Sequence, residues 1–392
     1  MHVFLIAGEA SGDRLGAAVM AGLKSLLPDV SFDGVGGPLM QAQGLSSRFD
    51  MRELSVMGLA EVLPKYRHLK RRIAQIAEAV LDTKPDILLT IDSPDFCLRV
   101  ARLVKARSQI RTIHYVAPSV WAWRPGRAAK MAKMIDHVLA LLPFEPPLMR
   151  AHGMVCDFVG HPVVAEPVAS HVDVSALREK LGLDESRFLL VLPGSRRSEV
   201  ERLMPVFATA AAQYVLANPG TRLVVPVARG VEKLVKTLAA DWPVAPLILD
   251  PAMDPTGQLK TAAFQDADLA LAASGTVSLE LAKANTPMVI AYKTHWLTWH
   301  IMRRMVKIDT VTLVNLVSET RVVPECLGPD CTPERIAQAL ADVARAPGAQ
   351  HTAMAVTMDR LGQGGPAPGL RAAQAVLAAW DTGDNNGVMR KI

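Results

Sequence analysis

Short, mostly apolar runs recur along this chain, many ending at Gly, Pro, Asp or Ser, and alternate with segments of helical period. The first series occupies 3–7, 32–35, 87–91, 112–116, 138–142 and 157–159. The second occupies 188–192, 223–227, 246–249, 269–273 and 288–291. A strand that is apolar on both faces must be covered on both faces, and helices between such strands make the sheet parallel. The two series are separated around 162–174, a stretch with two prolines and little periodicity. The pattern predicts an α/β chain of two facing Rossmann-like, doubly wound domains, with residues 1–168 as the first and 169–365 as the second. A helix over 370–380, after the glycine-rich 362–369, is expected to cross back with the tail (366–392) and pack on the first domain.

Size and composition agree. The chain has 392 residues, against roughly 100–200 for a typical domain. Half of them are hydrophobic and 21% are charged, too apolar for a disordered chain. The net charge of +5 is too small an excess to mark a nucleic-acid binder. Cys97, Cys156, Cys326 and Cys331 form no CxxC pair and no zinc pattern, so reduced thiols in a cytosolic protein are expected. The first nine residues lack a basic region and turn polar, unlike a signal peptide. The longest charge-free stretch, 203–221, contains Pro205, Pro219 and Gly220. It reads as a helix with its stop signal, and not as a membrane span of about 20 apolar residues.

In open α/β sheets ligands bind beyond the carboxyl ends of the strands, so the residues just after each run are the candidates. After 3–7 comes Gly8-Glu9-Ala10-Ser11-Gly12-Asp13, which is neither a dinucleotide fingerprint nor a P-loop. A tight strand-to-helix turn explains it, although Glu9, Ser11 and Asp13 put polar groups at the edge of the predicted cleft. After 87–91 comes Asp92-Ser93-Pro94-Asp95. A carboxylate there can take a proton from a substrate hydroxyl; helix capping by Ser93 or Asp95 is the alternative. In the second series, Pro193-Gly194-Ser195-Arg196 and Ser274-Gly275-Thr276 each open into a helix. Glycine admits a close ligand and arginine forks onto phosphate oxygens, so two such loops favour a diphosphate ligand. Glu280 either reaches ribose hydroxyls or is an exposed helix charge.

The string 114–124, His-Tyr-Val-Ala-Pro-Ser-Val-Trp-Ala-Trp-Arg, is followed by Arg127, Lys130 and Lys133. Trp121 and Arg124 are site candidates, although tryptophans usually pack and bases at every third position usually solvate a helix. His114 reads as a hydrogen-bonded core residue. No His/Asp/Glu cluster has metal-ligand spacing, so no metal is expected. In 59–73, Val62, Leu63, Tyr66, Leu69 and Ile73 recur at helical spacing beside Lys70 and Arg71, with five Lys/Arg and no acid between Glu61 and Glu78. This is either an interfacial helix on anionic lipid or an ordinary core helix. Residues 295–307, with Trp296, Trp299, Arg303, Arg304 and Lys307, form a second such candidate.

The strings AGEASGD (7–13), IDSPDF (91–96), HYVAPSVWAWR (114–124), LLPFE (141–145), VGHP (159–162), LPGSR (192–196), SGTVSLE (274–280) and VNL (314–316) occur in this order. Together they resemble the lipid-A-disaccharide synthase family. The resemblance implies an inverting glycosyltransferase of the two-Rossmann (GT-B) type. It would join UDP-2,3-diacylglucosamine to 2,3-diacylglucosamine 1-phosphate, releasing UDP. It implies that Asp92 is the catalytic base and that Asn315 lies near the nucleotide. Arg196, Ser274–Thr276 and the dipole of the helix behind them would stabilise the leaving UDP, with no metal and no other cofactor. Acylated substrates imply contact with an anionic membrane, on the cytoplasmic face of a Gram-negative inner membrane, and favour the interfacial reading of 59–73. No nucleic-acid partner is implied, and a homodimer is left open. A UDP-sugar 2-epimerase and a non-catalytic membrane module are the rival readings.

Overall fold

Each expected run becomes a strand, and the central ones are covered on both faces. The computed structural model describes residues 1–54, 59–122, 126–294, 299 and 308–384. Six strands, β1 (His2–Ala7), β2 (Ser31–Val35), β3 (Ile87–Ile91), β4 (Arg111–Tyr115), β5 (His137–Ala140) and β6 (Val155–Phe158), form a parallel sheet in the order β2-β1-β3-β4-β5-β6. Six more, β7 (Phe188–Leu192), β8 (Arg222–Pro226), β9 (Leu247–Leu249), β10 (Leu269–Ala273), β11 (Met288–Tyr292) and β12 (Glu325–Leu327), form a second, ordered β12-β11-β10-β7-β8-β9. The central strands β3, β7 and β10 are buried at every residue. This is the two-Rossmann α/β architecture.

Register decides where chemistry can gather. Ala7 pairs with Ile91 and Ile91 with Tyr115, so β1, β3 and β4 end in line and their loops emerge side by side. In the second sheet Leu192 pairs with Ala272, which brings the loops after β7 and β10 together in the same way.

The chain divides into two compact units, Met1–Ala165 with the segment from Gly364 onward, and Glu166–Gln363. The first boundary falls after the turn Pro162–Ala165. The second unit's first helix, His171–Leu181, then starts from a capping box of Ser170 and Asp173. The helix Pro368–Asp384 returns to the first unit and lies along the helix Ala10–Leu26. Two glycines permit this contact. A Cβ on Gly22 would sit 2.8 Å from the Gly369 carbonyl oxygen, and one on Gly369 would sit 2.7 Å from that of Ala18. Ala372, Ala373 and Val376 are buried in the seam.

Two features depart from the expected pattern. β12 is only three residues long and opens with Glu325, so it shows no apolar run. The Glu325 carboxylate accepts from Thr310 Oγ1 and from the N–H groups of Val311 and Thr312. β4 and β5 end one or two residues early because Val116 has φ +84 and leaves the sheet. Among the described residues no helix is long and apolar enough to cross a membrane.

Candidate active site

In the first unit, two neighbouring strands leave the sheet through backbone that side chains normally avoid. Asp92 and Ser93 have φ of 50 and 43, and Val116, after the next strand, has φ 84. Left-handed geometry costs of order 1–3 kcal/mol per non-glycine residue, most for a β-branched one, and persists only where its surroundings fix it. Here the Asp92 N–H donates to the Tyr115 carbonyl at 2.9 Å, and the Val116 N–H donates to that of Leu139 at 3.0 Å. Gly8, at the end of β1, closes the arrangement: a Cβ there would lie 2.5 Å from Ser93 Oγ.

Asp92 is half-buried and has no ion-pair partner among the described residues. Burial pushes its carboxyl pKa up, opposed by a backbone hydrogen bond from Ser93. Among the described residues no cation pairs with this carboxylate, and burial outweighs the one hydrogen bond that favours its charged form, as suits a proton acceptor. Ser93 occupies the N-cap position of the helix Pro94–Lys105, yet its side chain makes no capping bond. Asp95 is exposed.

The neighbouring candidates separate clearly. Glu9 is half-buried and Ser11 exposed. Asp13, expected at the ligand's edge, is instead buried, with its carboxylate accepting from the N–H groups of Gly37, Leu39 and Met40. It caps the start of the helix Pro38–Ala42 and is buried, not presented at the loop edge. His114 is a core residue: it is buried, its Nδ1 lies 2.8 Å from Thr90 Oγ1, and burial pushes its pKa down to about 4.

Trp121 is fixed by packing. It stands edge-on to Phe144, with ring centroids 5.4 Å apart, and its Nε1 donates to Glu145 at 3.2 Å. Sequence reading passed over Glu145, although it closes the string 141–145. Its buried carboxyl also accepts from the N–H groups of Leu141 and Leu142, and burial pushes its pKa up to about 7. Arg124 lies outside the described residues.

In the second unit, the loops after β7 and β10 border one cavity of about 700 Å³. Ser195, Arg196, Ser274, Gly275, Thr276 and Glu280 all line it. Gly194 is required where it stands, with φ 112 and a Cβ position only 2.7 Å from Glu199 Oε2. Glu199 accepts from the N–H groups of Ser195 and Arg196 and pairs with the Arg196 guanidinium at 3.0 Å. The loop therefore holds its arginine in place with its own carboxylate. Glu280 is paired with Lys260 at 2.7 Å through Oε2, so it is not a free helix charge. Lys260 and Arg229 also line the cavity. Sequence reading missed both, because no motif surrounds them.

Asn315 does not line this cavity. It is buried, its Nδ2 donates to Thr310 Oγ1 and the Val323 carbonyl, and its Oδ1 accepts from the Val323 N–H. These bonds tie the helix Leu313–Ser318 to the approach to β12.

The helix Leu59–Thr83 forms as its period predicts, but the side chains of Val62, Leu63 and Tyr66 lie outside the described residues. Leu69 is half-buried against the first core, and Ile73, Ile76 and Val80 are within it. Arg72 and His68 both bind Glu53, whereas Arg67, Lys70 and Arg71 are exposed. Of the 295–307 candidate, only Trp299 is among the described residues; a Cβ on Gly328 would meet its ring. Among the described residues no group of three His, Cys, Asp or Glu side chains is arranged to hold a metal ion.

Comparison with known proteins completes the assignment. The chain is 67% identical over 380 residues to the lipid-A-disaccharide synthase of Ruegeria pomeroyi, covering 96% of this chain and 95% of that one. It is 46% identical over 381 residues to that of Rhodospirillum centenum, with 96% and 94% covered. Its fold resembles UDP-GlcNAc 2-epimerase from Neisseria meningitidis, solved bound to UDP-GlcNAc, with a TM-score of 0.65 at 13% identity over 96% of this chain and all of that one. The family model of lipid-A-disaccharide synthetase matches residues 3–376, and the chain belongs to that glycosyltransferase family.

Proposed function

We propose that this chain moves a 2,3-diacylglucosamine unit from its UDP conjugate to the 6-hydroxyl of 2,3-diacylglucosamine 1-phosphate. The acceptor oxygen bonds to the anomeric carbon as the bond from that carbon to the phosphate oxygen breaks. UDP leaves with the electron pair, and Asp92 takes the hydroxyl proton. One direct displacement inverts the anomeric centre and needs no covalent intermediate. The first unit is then the acceptor domain and the second the UDP-sugar domain.

The observation that carries this reading is the cavity of about 700 Å³ where two strand-end loops meet around Arg196 and the Ser274–Thr276 turn. Arg196 and the backbone N–H groups of these loops would meet the charge that builds on the departing diphosphate. That charge is assigned to the protein's own donors and not to a metal, so activity should survive EDTA. Asp92 supplies the base on geometry of its own, a strand-end carboxyl with a raised pKa. Acylated substrates place the working enzyme at an anionic membrane surface, with exposed Arg67, Lys70 and Arg71 as the contact.

The fold likeness to a 2-epimerase favours one rival, and a single assay separates the two. UDP should appear only when donor and acceptor are both present. UDP release or epimerised sugar from donor alone would overturn the reading.

A further inference from the structure

The first unit carries a second cavity of about 200 Å³, between the helices Pro94–Lys105 and Gly126–Met131. Four cations line it: Arg99 and Arg102, one turn apart on the first helix, and Arg127 and Lys130, one turn apart on the second. Like charges at this spacing repel, and the two pairs meet over one small space. Asp95 is the single acid on its wall, and among the described residues none of the four cations has an ion-pair partner. They share this with the exposed Arg67, Lys70 and Arg71, whereas several other cations of the domain are paired. Arg48 is paired with Asp33, Arg72 with Glu53, Lys105 with Asp136 and Arg107 with Glu78.

The rest of the wall is apolar, with Leu98, Met131 and Met134 beside the cations. Pro94, two residues beyond the proposed base, is part of the same wall. A site of this composition fits a small, multiply charged anion carried on an amphiphile. A phosphate monoester bears about −1.5 to −2 charges at neutral pH with three strong acceptor oxygens, which matches two paired sets of donors. Free sugar or uncharged lipid would leave the repulsion unrelieved.

We propose that Arg99, Arg102, Arg127 and Lys130 form the binding site for the anomeric phosphate of the acceptor. The proposal rests on the disaccharide-forming reading above, and it gives that phosphate a reason to be on the acceptor. It orients the sugar by the end opposite its reactive hydroxyl, so that binding energy far from the reacting atoms is used for positioning.

The test is binding, measured without donor and without turnover. Equilibrium binding of 2,3-diacylglucosamine 1-phosphate, and of 2,3-diacylglucosamine lacking the phosphate, is compared in neutral-detergent micelles. Wild type should prefer the phosphorylated compound at least tenfold. Arg99→Gln/Arg102→Gln and Arg127→Gln/Lys130→Gln should each bring that ratio toward one, while Arg99→Lys/Arg102→Lys keeps most of it. Retained binding of the unphosphorylated compound and an unchanged thermal melt of the first unit within the full chain serve as the control for folding. A preference retained in both glutamine variants overturns the proposal. So does a preference absent from wild type in micelles that appears only as adsorption to vesicles containing anionic phospholipid, since the cluster would then read bilayer headgroups. A wild type that keeps the preference yet releases no UDP with both substrates would sink the proposed reaction and leave this site standing.

Discussion

At Asp92 two requirements meet in one residue: a left-handed backbone and a carboxyl that is reluctant to ionise. Asparagine tolerates the same backbone and removes the charge. The folded state binds the Asp92 proton more tightly than the unfolded chain does, because burial raises the folded pKa. The carboxyl therefore costs stability as pH rises through that pKa, and Asp92→Asn should be at least as stable as wild type at pH 7 by thermal melting. Its kcat should nevertheless fall by roughly 10²–10⁴. In wild type, kcat should decline on the acid side at a pH above the ordinary carboxylate range, because the base works only when ionised. A profile set by an unshifted carboxyl would move the role elsewhere. Residue position was legible in the sequence where a side chain lies just past a strand, as at Asp92 after β3 and Ser195 and Arg196 in the loop after β7. It was not legible for Asp13 and Asn315, whose polar atoms are consumed by backbone groups 24–27 and 8 positions away along the chain. A string shows what a side chain can bond to, and only the fold shows what has already bonded to it.

Among elements, strands buried on both faces announce themselves, because covering both sides leaves room for few polar residues, and those, like Thr90, must find a partner. β3, β7 and β10 coincide with their apolar runs. β12 stayed hidden because an edge strand of three residues needs no such run and spends Glu325 on a neighbouring turn. The helix Leu59–Thr83 shows the limit from the other side, since one apolar period serves equally for a core face and a lipid face. Its described half, from Leu69 to Val80, faces the core. Packing between helices is sharper still. Ala is favoured over Gly inside a helix by about 1 kcal/mol, so Gly22→Ala would stabilise an isolated helix. Here the added methyl meets the Gly369 carbonyl oxygen and the Ala373 methyl, and backbone cannot swing aside. Gly22→Ala should therefore destabilise the first unit by about 1–3 kcal/mol, read by chemical denaturation. A stabilised variant would show that the two helices can separate freely.

For the whole molecule, the proposed reaction demands a surface that lipid can reach, and the exposed bases Lys70 and Arg71 are where that demand is tested. Each base near an anionic surface contributes about 1 kcal/mol before screening. Lys70→Glu/Arg71→Glu should thus weaken co-sedimentation with anionic vesicles, and wild-type binding should fall as salt rises. Equal pelleting of both proteins would remove this helix as the contact. The chain path has a further consequence, for biosynthesis. The first unit is interrupted after Ala165 and resumes only at Gly364, so the second unit is an insertion within it. During translation the helix Ala10–Leu26 emerges early, and its partner Pro368–Asp384 is made nearly last. The second unit has all its residues before the first can finish its packing. Until then the small-residue face around Ala18 and Gly22 waits uncovered on the nascent chain.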